Sequence, residues 1–289
     1  MYPLWSCCEA CLIITGFALD YRDDWSRNPC GFKMLRTYIT DPEKTTHFGY
    51  LAIPEKEKVE WVRRHFNSVA RKYDSMNTLL SLGIHYQWKR MAVRMMGLRS
   101  GDHVLDVCGG TGDLSRMAAE RVAPSGRVLL YDINWEMMAA GWPKTSASPL
   151  SSLVCSVQGD AEKIAFPDKS FDAAMVGFGI RNLTHFEKGF MEMHRVLKAG
   201  GVFMCLEFSE PVTPWFRRLY DFYSFHVMPF IGKVLANCQP AYTYLPESIR
   251  LFPNPDELKS ILERIGFRNI RYRRLTNGIA VVHLGKKAD

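Results

Sequence analysis

The sequence predicts an α/β fold: a doubly wound, mostly parallel sheet with helices on both faces, finished by an antiparallel hairpin. Three observations predict it. From residue 101 onward, short apolar runs alternate with helix-period segments, the pattern of strand–helix–strand crossovers. A glycine-rich turn, Gly109-Gly110-Thr111-Gly112, joins the first of those runs to a helix. Near the C-terminus, two strand-like runs flank Asn277-Gly278, a pair that favours a hairpin because both residues tolerate positive φ.

The elements follow in order. Strand 103–107 carries Asp106 next to its end, and the glycine turn leads into a helix over 114–122. A second strand, 127–131, ends at Asp132, and a helix begins at Trp135. A third, 153–158, is followed by Gly159-Asp160-Ala161, and a fourth covers 171–176. The next helix, 186–197, puts Phe190, Met193, His194 and Leu197 on one face, with Lys198 and Gly200-Gly201 as its stop. A fifth strand covers 202–208. Asn254-Pro255-Asp256-Glu257 then combines an N-cap, a proline at the first helical position and a glutamate three residues on, which together open a helix. That helix stops at Gly266, and runs 270–275 and 279–284 form the hairpin.

Two segments stand outside this rhythm. Residues 54–97 are helical in pattern: Val59, Val62, His65, Phe66 and Val69 recur at helix spacing, as do Trp88, Met91, Ala92 and Met95. Residues 73–77 interrupt that periodicity. Residues 209–253 are rich in aromatics and read as a helical cap inserted into the sheet domain. There Phe216, Leu219, Tyr220 and Tyr223 recur at helix spacing, which suits a packed core and a ligand groove equally well.

Composition sets the frame. With 289 residues, 47% hydrophobic and 23% charged, the chain can bury a core without disulfides or metals. The expected layout is a poorly ordered extension over 1–45 and one domain over 46–289, with cap elements at about 54–97 and 209–253. Met34 is an alternative start. The apolar run 11–19 is too short to span a bilayer, lacks the preceding basic stretch of a secretory signal, and is followed by acids that argue against a transit peptide. The net charge of +7 suits an anionic membrane, nucleic acid or anionic ligand and selects none of them. Of eight cysteines, Cys8 and Cys11 form a C-x-x-C pair, but no second pair or His cluster follows, so no metal site is expected. Cys108, Cys155 and Cys205 lie in apolar runs and read as small core residues in a reducing compartment.

The chemistry concentrates at strand ends. In the glycine turn, missing side chains let a ligand press against backbone, and the start of the helix offers free N–H donors. A dinucleotide site wants G-x-G-x-x-G and a pyrophosphate; here the spacing is G-G-x-G, and Asp106 beside it repels phosphate. An acid at that position suits a cationic ligand such as S-adenosyl-L-methionine. Asp132 ends the second strand, where a carboxylate can accept both ribose hydroxyls, and Asp160 with Ala161 follows the third, within reach of an adenine. Each acid alone is equally a cap or a solvated loop residue. Three at successive strand ends point to a ligand, because open α/β sheets bind there.

Further residues carry a resemblance. They include Thr46-His47-Phe48-Gly49-Tyr50, Phe66-Asn67-Ser68-Val69-Ala70 with Tyr73-Asp74, and Gly83-Ile84-His85 with Trp88-Lys89. The glycine turn through Asp113, Asp132-Ile133-Asn134 and Phe178-Gly179-Ile180-Arg181-Asn182 continue it, as do Arg195-Val196-Leu197-Lys198 and Leu206-Glu207-Phe208-Ser209. Tyr223-Ser224-Phe225-His226 and Tyr244-Leu245-Pro246-Glu247-Ser248-Ile249 complete it. On these residues the chain resembles the UbiE/COQ5 (MenG) family of quinone-biosynthesis C-methyltransferases, over roughly residues 45–286. The Arg181-Asn182 and 223–226 stretches are its most specific parts.

The resemblance implies a class I, Rossmann-like methyltransferase sheet that uses S-adenosyl-L-methionine. It implies methylation of a ring carbon of a polyprenyl quinol: demethylmenaquinol to menaquinol, and in some members the matching ubiquinone step. By match, Thr111, Asp132, Asp160 and Ala161 would contact the cofactor; the chemistry of the turn adds Asp106, Gly109, Gly110 and Gly112, and Gly177 is expected beside it at a position where the family often has Ser. Arg181, Asn182 and Tyr73 are the expected catalytic residues, on the chemistry of the quinol ring. The segment 237–241 departs from several relatives. A lipid substrate implies peripheral contact at the inner, cytoplasmic face of a membrane, to which Arg268, Arg271, Arg273 and Arg274 could contribute. A homodimer is compatible with all of this.

A quinol carbon becomes nucleophilic when an adjacent hydroxyl loses its proton, so the site must align the reactants, accept a proton and exclude water. Arg181 could stabilise the quinolate and Asn182 orient it; Arg181 could equally pair with a carboxylate. Tyr73, Asp74, His85 and His226 are candidates for proton removal, though both histidines also read as packed residues beside aromatics. A phospholipid N-methyltransferase and a non-catalytic cofactor-binding scaffold are the competing readings. No RNA-binding module or aromatic-basic platform is present in the sequence, which argues against nucleic acid.

Overall fold

A computed structural model describes residues 44–236 and 239–288. The C-x-x-C pair and all but the end of the expected N-terminal extension lie outside the described residues. Within them the chain opens with a small antiparallel hairpin, β1 (Thr45–Phe48) and β2 (Leu51–Pro54), which the sequence reading did not anticipate. Gly49 turns it at φ +57°, and the Tyr50 N–H donates to Glu247 Oε2 at 3.0 Å.

Three helices follow: α1 (Lys58–Val69), α2 (Tyr73–Leu80) and α3 (Ile84–Met96). Residues 73–77 break the hydrophobic period yet form the first turns of α2. The period fails there because α2 buries only Met76 and presents its other residues to a cavity and to polar partners.

The central sheet has seven strands in the order β5-β4-β3-β6-β7-β9-β8. These are β3 (His103–Val107), β4 (Arg127–Asp132), β5 (Val154–Gln158), β6 (Phe171–Gly177), β7 (Leu197–Phe208), β8 (Phe267–Leu275) and β9 (Ala280–Lys287). Strands β3 to β7 pair in parallel, and β9 inserts antiparallel between β7 and β8. Alternation sorts the core into two layers. On one face Val104, Leu130, Met175 and Met204 pack against α3 and α4 (Asp113–Val122). On the other, Leu105, Leu129, Val176 and Phe203 pack against α6 (Phe186–Val196) and α10 (Pro255–Ile265). The capping box at Asn254 and Glu257 is formed as expected.

Two boundaries differ from the sequence reading. The stop expected at Lys198 and Gly200-Gly201 lies inside β7, which starts at Leu197. A register shift between Phe171 and Ala173 absorbs the extra residues, and Gly200 supplies a φ of +71°. The terminal hairpin is wider than a two-residue Asn-Gly turn: Leu275 pairs with Ala280, leaving 276–279 as the loop. Tertiary contacts hold it open. Asn277 Oδ1 accepts from the Thr213 N–H at 3.2 Å, and Trp88 Nε1 donates to Thr276 Oγ1 at 2.8 Å.

Residues 209–253 form a helical cap. α7 (Pro214–Phe222) runs through a π-helical turn (Tyr223–Val227) into α8 (Met228–Ile231), and α9 (Gln239–Leu251) returns towards the sheet. The wider turn precedes Pro229, which has no N–H to continue an α-helical ladder.

Candidate active site

The site sits at the carboxyl ends of β3, β4 and β6, where the strand order reverses direction between β3 and β6, the usual ligand crevice of such sheets. Strand β3 delivers Asp106 to its floor with no solvent exposure. Asp106 Oδ2 accepts from Ser115 Oγ at 2.6 Å, while Oδ1 is buried without a partner. Burial, reinforced by the nearby Asp132 carboxylate, pushes the Asp106 pKa up to about 7. A buried acid with an unsatisfied oxygen is costly unless a ligand completes it.

The glycine turn is tightly fitted around that acid. A Cβ on Gly109 would lie 2.7 Å from Leu130 Cγ and 3.2 Å from Asp106 Oδ2. The Gly110 N–H donates to Asp132 Oδ2 at 2.8 Å, and Asp132 Oδ1 accepts from the Asn134 N–H at 2.8 Å. Burial raises the Asp132 pKa to about 6, against the pull of those N–H donors.

Two adjoining cavities meet at this turn. The smaller, about 90 Å³, is walled by Asp132, Gly159, Asp160, Ala161 and Asn182. The larger, about 670 Å³, reaches from Asp106, Gly109 and Thr111 up between α2, α3 and the cap helix α7. Tyr73, Gly110, Gly177 and Phe178 line both. Gly112 lines neither; at φ +79° it shapes the start of α4. Cys108 packs against the core as expected and, at a φ of +54°, also lines both cavities.

Arg181 lies in the wall of the larger cavity, and the carboxylate partner weighed in the sequence is present. Arg181 Nη1 meets Glu207 Oε2 at 2.9 Å and donates to the Phe178 carbonyl at 2.6 Å, with both ions nearly fully buried. Nε donates to Ser248 Oγ at 3.3 Å. Asn182 turns the other way. Its Oδ1 accepts from Tyr244 Oη at 2.8 Å and its Nδ2 donates to the Gly179 carbonyl at 3.1 Å, so its amide faces the smaller cavity with both ends engaged.

The four expected proton acceptors separate. Tyr73 and His85 line the larger cavity. His85 Nδ1 is 2.6 Å from Ser81 Oγ, and burial, with the Lys89 charge, lowers its pKa to about 4. Asp74 is tied beneath the turn by Lys144 and Thr111. His226 is exposed and stacked on Phe222, away from the cavity. The residues at helix spacing in the aromatic stretch, Phe216, Leu219, Tyr220 and Tyr223, line the larger cavity.

Several residues received no site role from the sequence. His65 was read only as part of the helical period, yet it lines the larger cavity with Nδ1 buried and unpartnered. Burial and the Arg181 charge lower its pKa to about 3. Lys144 Nζ bridges Asp74 Oδ2 at 2.6 Å, Asp113 Oδ1 at 2.6 Å and Thr111 Oγ1 at 2.9 Å. Lys89 Nζ meets the other Asp113 oxygen at 2.8 Å. These lysines sit on α3 and on α5 (Trp135–Ser146), far from the acids in sequence. Only Glu207 had a usable signal: like the three site acids, it lies close to the end of a sheet strand.

The crevice fits S-adenosylmethionine. The unpartnered Asp106 oxygen suits its cationic amino-acid end, and the Asp132–Asp160–Ala161 wall suits an adenosine. Among the described residues no group of three His, Cys, Asp or Glu is gathered for a metal. Fold and site together define an S-adenosylmethionine-dependent methyltransferase. Among solved structures, a SAM-dependent methyltransferase from Thermotoga maritima shares the fold at TM-score 0.55 and 18% identity, over 78% of this chain and 99% of that one. The methyltransferase solved with its activator from Haloferax volcanii aligns at TM-score 0.58 and 16% identity, covering 79% and 98%. The chain belongs to the ubiE/COQ5 methyltransferase family, whose profile matches residues 54–287. It is 49% identical over 245 residues to the ubiquinone/menaquinone biosynthesis C-methyltransferase of Methylococcus capsulatus, covering 85% of this chain and 99% of the relative. It is 46% identical to the protein of the same name from Stutzerimonas stutzeri, covering 86% and 96%.

Proposed function

We propose that this enzyme methylates a ring carbon of a polyprenyl quinol, converting demethylmenaquinol to menaquinol and, with the same machinery, the matching ubiquinone precursor. Residues 46–289 serve as its single catalytic domain. The observation that carries this reading is the about 670 Å³ cavity. It is mostly apolar, joins the cofactor crevice at Tyr73 and Gly177, and holds one buried guanidinium in its wall. That is the shape of a site for an aromatic ring with a hydrophobic tail and one ionisable oxygen.

Bound S-adenosylmethionine supplies a methyl group already activated by its sulfonium. The protein's own groups do the rest. Arg181 is held rigid by Glu207 and the Phe178 carbonyl, so its charge is preorganised towards a developing quinolate. Tyr244, whose pKa burial raises to about 12, remains a hydrogen-bond donor throughout and fixes Asn182. Proton removal falls to a neutral base in the cavity. His85 and His65 line it, both neutral at neutral pH and both made weaker bases by burial, His65 the more so. The aromatic cap excludes water.

A lipid substrate brings the protein to the inner, cytoplasmic face of a membrane. Among the described residues no helix is long and apolar enough to cross it. The test is Arg181→Ala, assayed with reduced short-tailed demethylmenaquinol and demethylubiquinol. A fall in methyl transfer of about a hundredfold or more with cofactor affinity retained supports the reading. Near-normal transfer in the variant removes Arg181 from the chemistry.

A further inference from the structure

The helical cap carries a row of exposed apolar side chains, of which Leu219 also lines the larger cavity. Trp215, Leu219, Phe222, Phe230 and Val234 are between 56% and 67% exposed and, with position 226 counted, recur every three or four residues from α7 through α8 into a further π-helical turn (Gly232–Ala236). His226 fills the remaining place in the row, stacked on Phe222. Single exposed hydrophobic residues are ordinary; a row of five large ones is not. The opposite side of α7 faces the larger cavity through Phe216 and Tyr220.

The row continues onto the cavity mouth. Leu79, Leu82 and Leu219 line the cavity and are also exposed, Leu82 at 91%. Side chains that do both mark the opening. Charge around the row is one-sided. Its acids are paired, Glu210 with Arg217 and Arg250, and Asp221 with Arg250. Arg218 and Lys233 are exposed and make no ion pair among the described residues. A cavity of about 670 Å³ holds a drug-sized molecule. A ring and its first prenyl units fill it, and the rest of a long tail must leave through this mouth.

We propose that the outer face of α7 and α8, with the Leu79–Leu82 tip between α2 and α3, inserts into an anionic lipid surface and opens the cavity directly to it. This rests on the prenyl-quinol reading. A tryptophan and two phenylalanines beside unpaired cations match the composition of interfacial helices. The arginines of β8 line no part of the cavity and are not the principal contact.

The experiment is co-sedimentation of the full chain, without substrate, with phosphatidylcholine vesicles containing phosphatidylglycerol. The variants are Trp215→Ser/Phe222→Ser and Arg271→Glu/Arg273→Glu. Trp142→Ser, at a tryptophan 56% exposed on α5, is the control. The double Ser variant is expected to lose binding about tenfold or more, with Trp142→Ser at wild-type level and the arginine variant less affected. Circular dichroism and cofactor affinity show that each variant is folded. No vesicle binding by the wild type, or binding lost only in the arginine variant, overturns the proposal. So does a wild-type dimer that the double Ser variant dissociates, because the row would then be a subunit interface. Turnover of a short-tailed, soluble quinol is measured alongside. Its absence in the wild type would remove the quinol reading and leave the vesicle result to stand by itself.

Discussion

Asp106 is the residue on which burial and charge conflict most directly. Its carboxyl has no solvent exposure, one oxygen without a partner and a pKa pushed to about 7. In the folded, ligand-free protein it therefore stays protonated from the ordinary carboxylate range of 3.8 up to about 7, while the unfolded chain has already released that proton. Its contribution to stability is complete below the unfolded value and is lost as pH rises through about 7. A cationic ligand reverses the preference and favours the ionised form. Cofactor affinity should rise between about pH 6 and about pH 8, with proton release on binding in the lower part of that range. Titration calorimetry of Asp106→Asn should show a flatter pH profile and affinity about tenfold weaker or worse. An unchanged profile would place the cofactor's positive charge elsewhere.

At this scale the sequence was legible wherever a strand ended. Asp106, Asp132 and Asp160 could be found because alternation shows where strands stop and sheet topology shows where ligands bind. His65, Lys89 and Lys144 could not. Nothing in a helical period distinguishes a cavity-facing imidazole from a packed one, and the two lysines meet their acids only after α2, α3 and α5 have docked.

Among the elements, the docking of α2 decides whether Tyr73 stands over the turn. One polar cluster holds it: Thr111 Oγ1 donates to Asp74 Oδ1 at 2.7 Å, and Lys144 and Lys89 share Asp113. Burial alone would raise the Asp113 pKa, but the two ammonium groups hold it well below the usual carboxylate range. The Lys89 side chain is 10% exposed and that of Asp113 4%, so removing one partner strands a buried charge. Lys89→Met should destabilise the fold by about 3 kcal/mol, the lower end for a broken buried pair because Lys144 still covers Asp113. Denaturant unfolding checks this. A loss below about 1 kcal/mol would mean that Lys144 alone carries the cluster.

The misjudged boundaries share one cause. The Gly200-Gly201 stop and the Asn277-Gly278 turn are both places where distant contacts override local pattern. Sheet pairing draws 197–201 into β7, and Thr213 with Trp88 widens the last hairpin. The capping box at Asn254 needs no distant partner, and there the local pattern was sufficient.

For the whole molecule, a mostly parallel sheet carries the candidate cofactor residues, and a helical cap of lower burial lines the larger cavity beside them. The division follows from chemistry. The glycine turn is shared by many methyltransferases, whereas the cap must match one kind of acceptor, and the cavity that it lines here is mostly apolar. The most direct measurement is methyl transfer by the wild-type protein from labelled S-adenosylmethionine to short-tailed demethylmenaquinol and demethylubiquinol, each kept reduced, with the oxidised quinones as controls. The account predicts label on a ring carbon of at least one quinol and none on either quinone, because only the reduced ring has a hydroxyl to deprotonate. Tight cofactor binding with no label on either quinol would contradict it.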